Sequence, residues 1–179
     1  MKKLFLLLTI TLTLSCCNKD DDDDNQSLPS ATQTGTNTVG CLVNGQVFLP
    51  HQEGINAPVN CFYQYDNGEF YFTMNFADLR GTTNERVVLQ TAQIDLQENQ
   101  TYILDKNSVD DGFDFIGAGG VYSLSVSNRY YTNTIQTGEL TITRNDLSNS
   151  IISGTFWFDA KNEAGETVEI REGRFDWNY

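Results

Sequence analysis

The stretch CFYQYDNGEFYFTMNF, residues 61–76, decides the fold class. Asn67-Gly68 stands between two runs rich in aromatic residues, and this pair supplies the positive φ values that a tight two-residue hairpin turn requires. On the outgoing side Phe70, Phe72, Met74 and Phe76 alternate with Tyr71, Thr73 and Asn75. A period of two is what a strand with one buried face produces. The four large apolar residues therefore mark the core face.

The same signals recur on both sides of this hairpin. Residues 40–49 read Cys-Leu-Val, then Asn44-Gly45, then Gln-Val-Phe-Leu, a second hairpin. Further strands are predicted at Arg86 to Thr91, Thr101 to Leu104, Val121 to Ser127, Gly138 to Arg144, Ile151 to Ala160 and Thr167 to Trp177. Residues 105–120 are polar and Gly-rich and read as a long loop. Asp146 to Asn149 and Asn162 to Gly165 supply turns. Val168 and Ile170 have the opposite parity to Phe175, Trp177 and Tyr179, so both sets reach one core only if an extra residue is absorbed near Glu172-Gly173. About nine strands without an amphipathic helix predict an all-β domain over residues 40–179, a single antiparallel β-sandwich or flattened barrel.

The N-terminus reads as a targeting segment. Lys2 and Lys3 precede an apolar run from Leu4 to Leu14, too short for the roughly 20 residues that span a bilayer core. The exit Leu14-Ser15-Cys16-Cys17 resembles the lipobox of bacterial lipoproteins. Residues 1–16 are then a signal peptide and Cys17 the lipidated residue, with Cys16 as the alternative. Lys19 and Asp20, Asp21, Asp22, Asp23 and Asp24 resemble the acidic export signal of Bacteroidetes surface lipoproteins; otherwise the run is a solvated, self-repelling tether. Residues 17–39 hold almost nothing to bury and are expected to be a flexible spacer.

The formal charge is −13, and residues 40–179 alone carry −11. Such a field repels nucleic acid, whose recognition depends on neutralising phosphates. Cys41 and Cys61 would be bridged in an oxidising compartment, closing a loop worth roughly 3 kcal/mol; two separate buried thiols are the alternative.

Chemistry-bearing patterns are sparse. His51 is the only histidine, read as an exposed loop residue, and there is no Gly-x-Ser-x-Gly elbow or Cys-x-x-Cys pair. No cofactor motif is present: Gly117-Ala-Gly-Gly120 lacks the lysine and helix of a phosphate loop. Asp105, Asn107, Asp110, Asp111 and Asp114 form an oxygen-rich cluster and a candidate for a loose calcium site; its spacing departs from an EF-hand loop, with Asp110 where glycine is required, and an ordinary polar loop is the better reading. Trp157 with Tyr71 or Tyr130, edged by Asp159, is the candidate aromatic platform for a sugar ring or peptide. The opposing expectation is that these rings fill core contacts.

Three C-terminal motifs carry a further resemblance: Gly138-Glu-Leu-Thr-Ile-Thr143, Ser153-Gly-Thr-Phe156 and Gly173-Arg-Phe-Asp176, together with Val43-Asn-Gly45. The chain resembles an uncharacterised family of Bacteroidetes, mainly flavobacterial, lipoproteins, over residues 40–49 and 136–179 and more loosely between. The resemblance implies an all-β fold at the outer membrane, facing the cell surface or alternatively the periplasm, with no catalytic residue to carry over. The expected role is a non-catalytic binding or accessory module, held to the membrane by its lipid and contacting a glycan, peptide or envelope protein. A structural part of the envelope is the alternative, and a carboxylate-based hydrolase ranks third.

Overall fold

Alternating side chains build two sheet layers that close on each other through their aromatic faces. The computed structural model describes residues 26–80, 84–108, 115–125 and 127–179. The strands are β1 (Thr38–Val43), β2 (Gln46–Phe48), β3 (Val59–Asp66), β4 (Glu69–Asp78), β5 (Glu85–Ala92), β6 (Thr101–Leu104), β7 (Gly117–Ser125), β8 (Asn128–Tyr131), β9 (Gly138–Asp146), β10 (Ile151–Lys161) and β11 (Thr167–Asn178). They follow the order β2-β1-β11-β10-β9-β6-β7-β5-β4-β3, with β8 pairing both β7 and β10. The strand at the middle of this order, β6, pairs with β9 along its length but with β7 only through Leu104 and Ala118. There the sheet folds over. The layer β2-β1-β11-β10-β9 lies against the layer β7-β5-β4-β3.

The hairpin of residues 61–76 has the predicted register: Asp66 pairs Glu69 across Asn67 and Gly68, both at positive φ. Phe72, Met74 and Phe76 are fully buried. The Phe72 ring stacks 5.7 Å from Phe175 of β11, and Phe76 meets Phe156 of β10 at 6.3 Å and Phe48 at 5.7 Å. Each such ring contributes roughly 1.5–3 kcal/mol of burial. These contacts join the two layers.

The expected irregularity in β11 is present. Phe156 pairs Gly173 and Phe158 pairs Ile170, so β11 carries one residue more than β10 there. The left-handed residue is Glu172, at φ 50°. Gly173 has a different duty: a Cβ on it would lie 2.4 Å from the Phe156 ring.

Four expectations need correction. Among the described residues the strands number eleven, and the sheet is mixed because β6 and β7 are parallel. Residues 117–120 are strand, not loop. Glycine is needed there because a Cβ on Gly119 would lie 2.3 Å from the Lys106 carbonyl oxygen and one on Gly120 would lie 2.8 Å from the Phe158 ring. Cys41 and Cys61 are free thiols. Cys41 pairs with Phe48 and Cys61 with Met74, in different layers, and burial pushes the Cys61 thiol up to about 12 and Cys41 higher still.

The fourth concerns the spacer. Residues 32–36 are bound to the domain by Asp176, which is 1% exposed. Its carboxylate accepts hydrogen bonds from the Thr32 hydroxyl (2.7 Å), the backbone N–H groups of Thr34 (3.0 Å), Gly35 (2.8 Å) and Thr36 (3.1 Å), the Thr36 hydroxyl (2.9 Å) and the Ser153 hydroxyl (2.7 Å). Burial alone would raise this carboxyl; the hydrogen bonds outweigh it and hold the group far below the usual carboxylate range. Leu28 and Pro29 pack over Gly40 of β1. The arm therefore covers the outer face of the β1-β11-β10 layer, a contact that a composition of Thr, Gly and Asn does not reveal.

Candidate functional site

Among the described residues no such arm covers the outer face of the other layer. Cross-strand register places Phe62 opposite Thr73, Gln64 opposite Tyr71, Thr73 opposite Gln90 and Asn75 opposite Val88. All of these side chains point away from the core because their neighbours Phe72, Met74, Val87 and Leu89 point into it. One wall of the face is raised by the segment after β6. Asp105 and Lys106 donate backbone hydrogen bonds to the Ala118 carbonyl, and the Thr132 hydroxyl donates to the Lys106 carbonyl at 2.7 Å. The missing side chain of Gly119 lets this segment descend until Ser108 lies against β7.

The result is a trough. Its first half, about 490 Å³, is lined by Phe62, Tyr71, Thr73, Gln90, Ser108 and Phe115, with Gln64 and Asp66 at one end. The second half, about 510 Å³, shares Thr73 and Gln90 and continues over Asn75, Val88 and Val121 to Arg86, Ser123 and Arg129. Both volumes lie within the range of small-ligand sites. Amide and hydroxyl groups, which donate and accept, dominate the polar lining. Ser108 is 6% exposed, and its Oγ has no hydrogen-bond partner among the described residues. A buried hydroxyl left unpaired carries a desolvation cost that a polar ligand would relieve.

The predicted aromatic platform is not one surface. Tyr71 lies in the trough. Tyr130 is 7% exposed, packs 5.8 Å from Tyr122 and donates its hydroxyl to Glu166. Trp157 and Asp159 stand on the outer face of the opposite layer. There the Arg171 guanidinium lies 5.5 Å over the Trp157 ring and 2.6 Å from Asp159, while Trp157 Nε1 donates to Glu139 at 3.3 Å. These side chains satisfy each other, so Trp157 is partnered by an ion pair rather than held open. Sequence parity put Tyr71 and Trp157 on outer faces; only the order of strands shows that the faces are different ones.

Of the proposed calcium cluster, Asp105 is ion-paired with Lys106 at 3.3 Å. Asn107 is the other described member; Asp110, Asp111 and Asp114 lie outside the described residues. Among the described residues no three His, Cys, Asp or Glu side chains converge as metal ligands. His51 is half-buried rather than exposed: Nδ1 lies 3.0 Å from the Leu49 carbonyl and 3.5 Å from Asp78. Cys16, Cys17, Lys19 and Asp20 to Asp24 also lie outside the described residues, among which no helix is long and apolar enough to cross a membrane.

Fold and site together define an all-β domain with an open polar and aromatic trough on one layer. The chain belongs to the family described as a Domain of unknown function (DUF6252), whose model matches residues 69–176. That match takes in the three C-terminal motifs and the middle of the chain, and leaves Val43-Asn-Gly45 of the first hairpin outside. No curated protein and no solved structure matches the chain.

Proposed function

We propose that this protein is a non-catalytic binding module of the cell envelope. It is anchored at the outer membrane through Cys17, or alternatively Cys16, and directed to the cell surface by Lys19 and Asp20 to Asp24. Its trough holds a glycan. The resemblance of the N-terminus to a Bacteroidetes lipoprotein signal supports the location. The observation that carries the binding role is the continuous trough, in which Phe62 and Tyr71 present aromatic surface beside Gln64, Thr73, Gln90 and Asn75. Sugar rings have an apolar C–H face and hydroxyls that both donate and accept, which match this lining. A peptide pairing by main-chain hydrogen bonds needs a sheet edge, whereas this floor is sheet face.

Three of the described acids run against the hydrolase alternative. Such chemistry needs one carboxyl whose pKa is raised. Among the described residues Asp78, Asp146 and Asp176 have carboxyls that are lowered: Asp78 by hydrogen bonds from Arg80, Asp146 to about 2 by those from Asn149 and Arg144, and Asp176 by the arm against the effect of burial.

The test is affinity electrophoresis of the mature protein through gels containing soluble polysaccharides, with Tyr71→Ala alongside. Retardation in at least one gel, lost in Tyr71→Ala at unchanged thermal midpoint, is the expected result. Free migration in every gel returns the domain to an assembly role in the envelope. Protease accessibility on intact cells, with and without Asp20 to Asp24, tests the location: rapid, run-dependent cleavage is expected, and protection in both cases places the domain on the periplasmic face.

A further inference from the structure

The cations of this acidic protein are mostly occupied. Arg80 holds Asp78, Arg144 holds Asp146, Arg171 holds Asp159 and Arg174 holds Glu172, while Lys106 holds Asp105. Arg86 and Arg129 hold no carboxylate among the described residues, and both line the second half of the trough.

Their placement follows from register. Arg86 of β5 pairs with Ser123 of β7, and Ser123 pairs with Arg129 of β8. The three side chains therefore stand in one row on the outer face, with Ser123 between the arginines. Two cross-strand steps put the arginine Cβ atoms about 10 Å apart, a gap that two extended guanidinium groups can close upon a small anion. Both arginines are half-buried, so each has given up part of its hydration with no counter-charge in return among the described residues. Like charges brought together in this way repel, and repulsion is relieved when an anion sits between them. Among the described residues no acidic side chain lines this half of the trough. Arg129 also borders a neighbouring hollow with Glu163 and Glu166, where Glu166 accepts hydrogen bonds from Tyr130 and Asn162. Asp66 stands at the far end of the first half, so the two ends of the trough differ in sign.

We infer that Arg86, Ser123 and Arg129 form a binding site for an anionic substituent, a carboxylate or sulfate, carried by a glycan that lies along the trough. This inference rests on the glycan reading above and adds the ligand's charge and its direction. The acidic group sits over Ser123, and an uncharged ring lies over Thr73 and Gln90 toward Tyr71. Planar guanidinium groups bind such oxyanions in a bidentate manner, and the Ser123 hydroxyl donates a further hydrogen bond. In a protein of net charge −13, general electrostatic attraction cannot supply this preference; local geometry must.

The experiment is NMR titration of the mature protein with inorganic sulfate, with a trimer of galacturonate and with the trimer's methyl ester. The Arg86 and Arg129 Nε–H resonances are assigned by comparison with R86Q and R129Q. Sulfate and the acidic trimer are expected to move both resonances. The trimer should bind at least tenfold more tightly than sulfate, its ester should lose tenfold or more, and R86Q/R129Q should bind acid and ester equally. If neither anion moves the two resonances, the arginine site is refuted while the trough can still bind neutral sugars in the gel assay. If sulfate moves them but the trimer binds no more tightly, the anion site stands and the glycan reading of the trough fails. A triglutamate peptide that binds more tightly than the trimer assigns the site to an acidic peptide and overturns the inference.

Discussion

The outer faces of the two layers are built from the same alternation and end in opposite states. On β9, β10 and β11 the outward residues satisfy each other: Arg171 with Asp159 and Trp157, Trp157 with Glu139, Arg174 with Glu172, and Asp176 with the arm. On β3, β4, β5, β7 and β8 they include amides, hydroxyls, two aromatic rings and two arginines without carboxylate partners among the described residues. Exposure alone does not separate these faces, since Trp157 is 37% exposed and yet engaged. What separates them is whether polar groups find partners within the protein. Internal pairing is concentrated on the first face, and the trough proposed to bind lies on the second.

The sharpest way to break this contrast is Asp176→Asn. The amide can accept at one atom only and presents donors to donors, so several N–H and O–H groups of the arm are orphaned. The expected cost is roughly 3 kcal/mol, because charge-assisted hydrogen bonds contribute about 1.5–3 kcal/mol each but do not add fully. Thermal denaturation should show a fall of about 10 °C for a domain of this size. Acid probes the same contact. The folded pKa of Asp176 lies below its unfolded value near 3.9. Its contribution is therefore complete above about pH 5 and is lost as pH falls through 4 toward the folded pKa. Denaturant titrations at pH 7 and pH 3 should show the wild type losing part of this increment and Asp176→Asn losing much less.

Glycine substitutions compare the two faces directly. Gly173→Ala drives a methyl into the Phe156 ring and should cost about 2–3 kcal/mol. Gly119→Ala meets the Lys106 carbonyl, whose segment lies on the surface and can lift; about 1–2 kcal/mol is expected, with loss of polysaccharide retardation because the Ser108 wall moves. Retardation unaffected by Gly119→Ala would separate that wall from binding. Smaller still is Trp157→Ala, which removes an exposed cation–π contact worth roughly 0.5–1 kcal/mol. Binding should be unchanged, and a binding defect would reunite the two aromatic surfaces that the fold divides. The smallest effect is expected from a reducing agent: with Cys41 and Cys61 as free thiols the melting temperature should not move, and a fall would restore the bridge.

Period-two alternation made the strands around Phe72, Leu140, Phe156 and Ile170 legible, and parity alone located the extra residue in β11. Strands whose packing depends on missing side chains were not legible. Gly119 and Gly120 look like loop residues because a glycine that admits a carbonyl or an aromatic ring leaves no mark distinguishing it from one that turns the chain. Asp176 was visible only as the end of a motif, since its partners Thr32 to Thr36 are some 140 positions away. The trough depended on strand order as well: Arg86, Ser123 and Arg129 become neighbours only after β5, β7 and β8 are placed side by side. Local pattern chooses the side of a strand, and topology chooses its neighbours.

The pairing of β1 with β11 also governs when the domain can be completed. Thr38 meets Asp176 and Val39 meets Phe175, so the first strand waits for nearly the last residues of the chain. The hairpins β3-β4 and β10-β11 join near neighbours in sequence and can close early, whereas β1 must form a contact of long range, the slow kind. A chain emerging N-terminus first leaves β1 and its arm without their partner until the C-terminus has followed. Loss of Asp176 to Asn178 at the end of β11 then acts as a lesion far away in sequence as well, releasing Thr32 to Thr38 along with the start of β10.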